Sequence, residues 1–408
     1  FFFKQKTAYE IRNCDWSSDV CSSDLFQTAG FLGDILTTNF QYKPYFDVRA
    51  RKYRFRILNG CVARYLKLAL IDQKNRPVPF YLVANDGNIM EHSVALDGTL
   101  GTRVGELPEQ SIAERYDVII DFSQFRRGDK LYLVNLMEHR DGARPNQIVP
   151  LPVVASGRYR PTPRDNNNDG IADEWTQGDP CVGRLMEFRV HPYSGTDLSM
   201  NPADYVEGRA KMIPLWRPTA AELSSAIHRT FEFGRSGGSD GKPWTVKTDG
   251  GPGLAADMTR VSAAPNIDQL SANGMGHLEV WTMRNGSGGG WSHPLHVHFE
   301  EGIILSMDGL APRSPWKWSR KDMYRVGPVE GPREFQIAIH VREFAGTYVE
   351  HCHNTTHEDT AMLLRWDSEK AGQLQAIATP IPAWDGCTFL SSSALPTART
   401  GGGIGPRR

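Results

Sequence analysis

Polar and apolar residues alternate through much of residues 26–140, and a period of two puts successive side chains on opposite faces of an extended backbone. Lys52-Tyr53-Arg54-Phe55-Arg56-Ile57-Leu58-Asn59-Gly60 and Arg64-Tyr65-Leu66-Lys67-Leu68-Ala69-Leu70 carry this pattern, with Asn59-Gly60 as the turn signal between them. Phe31-Leu32-Gly33-Asp34 reads the same way. Phe80 to Ala84, Tyr116 to Phe122 and Leu131 to Leu136 add three more short β-forming runs. Strands at this spacing predict a β-sandwich. A second sandwich is predicted over residues 230–390, with strands at His277 to Arg284, Gly302 to Ser306, Glu334 to Val341 and Gly346 to His351. The expected fold class is therefore all-β, two sandwiches in tandem.

The intervening residues 141–229 are rich in Pro, Gly and Asn and only weakly periodic, so they predict a loop-rich insertion, with Ala220 to Ile227 as a short helix. Within it, Asp165-Asn166-Asn167-Asn168-Asp169-Gly170-Ile171-Ala172-Asp173-Glu174 sets oxygen side chains at alternating positions before a glycine, as the first half of a calcium loop does. Asp165, Asn167, Asp169 and Asp173 are the candidate calcium ligands. Thr176 stands where such a loop carries its closing Glu, and a metal-free Asn/Asp/Gly turn reads equally well. Residues 391–408, Ser/Gly/Arg-rich, are expected to be disordered.

Residues 1–25 break the pattern. Ile11 to Leu25 is polar and holds three Asp, which excludes a secretory signal in that stretch. Lys4 to Ile11 (KQKTAYEI) and Asp15 to Leu25 (DWSSDVCSSDL) resemble the conceptual translation of a short-read sequencing adapter. They are expected to be non-native and to stay outside the fold.

Net charge is −1 over 408 residues, which gives no electrostatic case for nucleic acid or an anionic membrane, and no apolar run reaches spanning length. Six cysteines are too few for a disulfide scaffold, and the pairing of Cys61, Cys181 and Cys387 stays open.

Histidine placement changes the picture. Six of the twelve fall in two segments, Trp291-Ser292-His293-Pro294-Leu295-His296-Val297-His298 and Val349-Glu350-His351-Cys352-His353-Asn354-Thr355-Thr356-His357-Glu358-Asp359-Thr360-Ala361-Met362. On a strand, His351 and His353 project to one side and Cys352 to the other, so one strand can feed two metal centres. Thiolate, imidazole and a returning thioether suit copper. The remaining six histidines form no His-x-His pair and are expected to be structural or solvent-exposed.

HPxHxH followed by HCHxxxHxxxxM resembles the two C-terminal copper motifs of the multicopper oxidases, in the branch of the bacterial spore-coat laccases, bilirubin oxidase and phenoxazinone synthase. The resemblance spans roughly Phe26 to Asp367 and implies two cupredoxin-like Greek-key domains, the second and third of a three-domain enzyme. It implies His293, Cys352, His357 and Met362 as type 1 copper ligands, His296 as a type 2 ligand, and His298, His351 and His353 as type 3 ligands. Glu358 matches an acidic residue of proton delivery. The implied activity takes electrons from a phenol, aromatic amine, tetrapyrrole or metal ion, near a solvent-facing edge of His357, and passes them through Cys352 to a cluster that reduces dioxygen to water. By the same resemblance the protein is periplasmic, extracellular or spore-coat. The family draws its trinuclear cluster from four His-x-His pairs, and two occur here, so the expectation is a fragment of the enzyme, itself inactive. The alternative, a blue-copper electron carrier or a two-domain nitrite reductase, leaves the opposed pair His351 and His353 without a role.

Overall fold

The computed structural model describes residues 2–5, 29–166, 174–235, 244–251, 253–254, 266–267, 278–341, 346–359, 362–368, 382–383 and 388–389. Two β-sandwiches follow one another. In the first, a sheet ordered Gln41–Tyr42, Leu36–Thr38, Phe2–Gln5, Lys52–Asn59, Arg115–Asp121, Tyr81–Asn85, Asn88–Ala95 faces a sheet ordered Tyr45–Arg49, Gly183–His191, Lys130–Asn135, Leu66–Asp72, Glu106–Gln110. Phe55 and Ile57 of Lys52–Asn59 turn inward while Arg54 and Arg56 stay outside, as the alternation predicts. Phe55, Phe122 and Phe188 meet in the middle with ring centroids 5.3–6.2 Å apart. Such pairs add about 0.5–1.5 kcal/mol each beyond the area they bury.

Leu66–Asp72 is buried along its whole length. Leu66, Leu68 and Leu70 enter the sandwich core, while Ala69 and Ile71 face a second apolar layer with Leu151 and Val154 from the short helix Leu151–Ala155. The strand is apolar on both faces because both faces are covered.

The second sandwich repeats the arrangement. Gly253–Leu254, Thr245–Thr248, Ile227–Gly234, Leu278–Asn285, Glu334–His340, Gly302–Met307 and Arg320–Lys321 face Asn266–Ile267, Leu363–Ser368, Gly346–Cys352, His293–Val297 and Met323–Val326. The parallel neighbours Ile227–Gly234 and Leu278–Asn285 correspond to Phe2–Gln5 and Lys52–Asn59 in the first sandwich.

Three expectations need correction. The first sandwich does not stop at residue 140: Gly183–His191 pairs between Tyr45–Arg49 and Lys130–Asn135, because Leu185, Phe188 and Val190 supply an inward face that the surrounding loop composition masked. Phe31 to Asp34 makes no strand. The Gly33 carbonyl there turns to Arg64 Nη2, at 3.1 Å, and the ladder begins at Leu36. Residues 1–25 are not wholly outside the fold either, since Phe2–Gln5 lies between Leu36–Thr38 and the end of Lys52–Asn59. Its Phe-Phe start is strongly β-forming, whatever the origin of the wording that follows. Residues 6–28 and 391–408 lie outside the described residues.

The predicted helix forms as Ala220–Ser225, closed by a reciprocal Thr219 and Glu222 capping box. Residues 209–217, ahead of it, are tied to the first sandwich through Glu91, a fully buried carboxylate. Lys211 Nζ reaches its Oε1 at 2.7 Å and Arg217 Nη2 its Oε2 at 2.5 Å. Burial alone would raise this carboxyl, but the Arg217 and Lys211 hydrogen bonds outweigh it and hold the group at about 2. A depressed folded-state value stabilises above the ordinary carboxylate value near 4.5 and loses that contribution as pH falls from there towards 2. Urea unfolding should therefore show the wild type losing more stability than Glu91→Gln between pH 5 and pH 3, with the two converging at the acid end. Parallel curves over that interval would contradict it.

Candidate metal centre

Two adjacent strands build the site. His293–Val297 pairs antiparallel with Gly346–Cys352 in the register Leu295↔Cys352, His296↔His351, Val297↔Glu350. Paired residues share a face, so His296 and His351 project together to one side and Cys352 to the other, alongside the parity of His293. Thr347, Tyr348 and Val349 make the second strand β-prone, and Pro294 takes no part in the ladder as a donor.

On the Cys352 side, His293, Cys352 and His357 are all fully buried and converge. Cys352 Sγ lies 3.5 Å from His293 Nδ1 and 3.4 Å from His357 Nδ1, and the two nitrogens are 3.2 Å apart. Donors bound to one ion at about 2.0–2.3 Å stand roughly 3.5 Å from each other. The triangle therefore fits a single soft metal ion.

The one-turn helix Thr355–Asp359 delivers His357, and the chain then doubles back: Met362 N donates to His357 O at 2.9 Å and Cys352 N to Met362 O at 3.1 Å. Met362 is thereby buried in the same apolar cluster as Cys352. Ser287 Oγ, 3.0 Å from His293 Nε2, leaves Nδ1 for the metal.

Burial holds His293 down at about 3 and pushes the Cys352 thiol well above its ordinary value. Both shifts favour the uncharged imidazole and thiol, so a cation that binds beside Cys352 exchanges against the thiol proton.

On the other side, His296, His298 and His351 form a second convergent group. His298 Nε2 and His351 Nε2 are 3.1 Å apart, and His296 Nδ1 hydrogen-bonds to the Asp322 carbonyl at 3.1 Å, freeing its Nε2. The His353 ring centroid is 5.2 Å from that of His351 and 5.9 Å from that of His296, and its buried Nδ1 finds no partner among the described residues. Burial, then the neighbouring imidazoles His298 and His351, hold His296 at about 3, and the same causes lower His298 and His353. Glu358 Oε2 lies 3.2 Å from His351 Nδ1. Burial opposes its ionisation, but the His351 contact wins and keeps it below its ordinary value.

The structure brings His293, Cys352 and His357 together on one face and His296, His298 and His351 on the other, with His353 and Glu358 beside the second group and Met362 in the apolar cluster that holds Cys352. One expectation fails: His357 presents no solvent-facing edge. Trp244 lies over its ring at 4.1 Å between centroids, and Trp291 stands across it at 5.8 Å. The Trp244 cover, the Ser287 contact and the Asp322 carbonyl were missed by sequence reasoning, and no local pattern marks them. Of the calcium-loop residues, Asp165 is described, whereas Asn167, Asp169 and Asp173 lie outside the described residues, as does Cys387. Cys61 and Cys181 are buried, and neither is in a disulfide.

A family model described as multicopper oxidase matches residues 246–372. The bilirubin oxidase of Albifimbria verrucaria is 28% identical over 343 residues, 83% of this chain and 48% of that protein. A Haloferax volcanii laccase is 27% identical, with 82% of this chain and 47% of the other covered. Among solved structures, the McoA multicopper oxidase 2F4 variant of Aquifex aeolicus superposes with a TM-score of 0.57 at 21% identity, over 84% of this chain and 61% of the other, which speaks for the fold. Over residues 246–372 the chain matches the multicopper oxidase family, and copper is the cofactor that this family implies. The chain spans about half the length of the curated relatives it matches.

Proposed function

We propose that this chain supplies the blue-copper site and half of the oxygen-reducing cluster of a multicopper oxidase. The register that pairs His296 with His351 and Leu295 with Cys352 carries the reading, because it delivers two donor sets to opposite faces of one strand pair. His293, Cys352, His357 and Met362 are assigned to the type 1 copper, His296 to the type 2 copper, and His298, His351 and His353 to the type 3 pair. Copper held by these residues would supply one-electron chemistry, by which electrons from a small organic reductant or a metal ion at the type 1 site would reach dioxygen at the cluster.

The residues of the chain provide the rest. Cys352 is flanked by His351 and His353, so the path between the two sites runs through adjacent covalent bonds, and His351 Nδ1 also lies 3.3 Å from the Cys352 carbonyl. Trp244 and Trp291 exclude water from His357 and place an aromatic surface between it and an approaching reductant. Glu358, partly exposed and in contact with His351, is placed to carry protons to the cluster. A blue-copper carrier would need only the Cys352 face; the second imidazole group disfavours it.

The loop Asp165, Asn167, Asp169 and Asp173 is proposed as a weak calcium site, supported by its oxygen spacing. Calorimetry should give a dissociation constant of about 10⁻⁴–10⁻³ M, abolished by Asp169→Ala; the absence of any calcium-dependent heat would remove the idea. The oxygen chemistry has a sharper test. With His296, His298, His351 and His353 as its share of cluster imidazoles, the purified, copper-loaded chain should take up no oxygen with a phenolic reductant. Laccase-like uptake, or four tightly held coppers per chain, would overturn the assignment.

A further inference from the structure

The first sandwich contributes no residue to either group of converging metal donors among the described residues, yet it grips the strand entry that orients one of them. Four consecutive residues of the second sandwich, Arg320 to Met323, are each tied to it. Arg320 Nη2 donates to Asn88 Oδ1 at 2.8 Å, Lys321 Nζ meets Asp86 Oδ2 at 2.9 Å and Glu114 Oε1 at 2.5 Å, and Met323 N donates to Asp86 Oδ2 at 3.3 Å. Between them, Asp322 receives a two-pronged contact from Arg115: Nη1 to Oδ1 at 2.9 Å and Nη2 to Oδ2 at 2.7 Å. Arg115 is itself fixed, with Nη1 also donating to Ala113 O at 3.0 Å and its backbone N–H to Asp86 Oδ1 at 3.0 Å. The paired fork geometry sets both distance and orientation, which a point charge does not.

The Asp322 carbonyl is the group that meets His296 Nδ1, and the same oxygen accepts Val297 N at 3.0 Å. It therefore fixes which nitrogen of His296 carries the proton, leaving Nε2 bare towards His298 and His351. We infer that Arg115, through Asp322, is a positioning residue for His296, so that the copper-free sandwich sets the ligand geometry of the neighbouring cluster. This rests on the copper reading above for its consequence, but the tautomer of His296 does not require metal.

Arg115→Met and Arg115→Lys in the full chain test it with two readouts. In the apo chain, nitrogen-15 NMR of the histidines should show His296 predominantly protonated at Nδ1 in the wild type, and tautomerically mixed in Arg115→Met. In the copper-loaded chain, competition titration should give about 10-fold or more weaker binding at the His296 group, the scale typical of losing a ligand-orienting contact. The colour of the Cys352 site should be unchanged, since Arg115 touches none of its ligands, and Arg115→Lys should fall between wild type and Arg115→Met. An unchanged tautomer with unchanged affinity would overturn the inference, and so would equal loss at both copper sites in both variants, which marks a general unfolding. If the wild type binds no copper at the His296 group, the copper reading fails while the apo tautomer still decides the role of Arg115.

Discussion

The register between His293–Val297 and Gly346–Cys352 is the constraint on which the site depends. A slip of one residue would exchange the faces of every side chain on one strand, carrying Cys352 away from His293 and His351 away from His296. The register is pinned from both sides. Leu364 and Trp366 on the outer neighbour Leu363–Ser368 pack into the same core as Cys352, and Met323–Val326 flanks the other strand. A slip would also force the buried Leu295 and Val297 out of the sandwich interior, at about 1.5–3 kcal/mol for each apolar side chain exposed.

Burial then determines how the donors behave without metal. Burial disfavours the charged forms of the His293 and His296 imidazoles and of the Cys352 thiol, so a cation entering beside Cys352 exchanges against its proton. The same interior accommodates Glu350, a carboxyl two residues before Cys352 that has no hydrogen-bond partner among the described residues; burial pushes it well above the ordinary carboxylate value.

Much of this was legible in the sequence for a plain reason. Strand alternation is a local property, so the opposed faces of His351 and Cys352 follow from their adjacency, and the spacing of His296 from His298 follows from the same period. Long-range facts were not legible. Gly183–His191 is separated from its partners by an irregular loop, so its inward face had no neighbours in sequence to announce it. Trp244 reaches His357 across more than a hundred residues, and Arg115 reaches Asp322 across 207. A solvent-facing His357 was expected because the family resemblance carries ligands over one by one, whereas exposure depends on residues outside the motif.

The division of the two faces is tested most directly by adding one equivalent of copper(II) to the apo chain and recording its visible spectrum. A thiolate-to-copper charge-transfer band should appear, vanish in Cys352→Ser, and persist in His351→Ala, whose imidazole belongs to the other face. A band that survives Cys352→Ser, or one that is lost in a folded His351→Ala protein, would contradict the account.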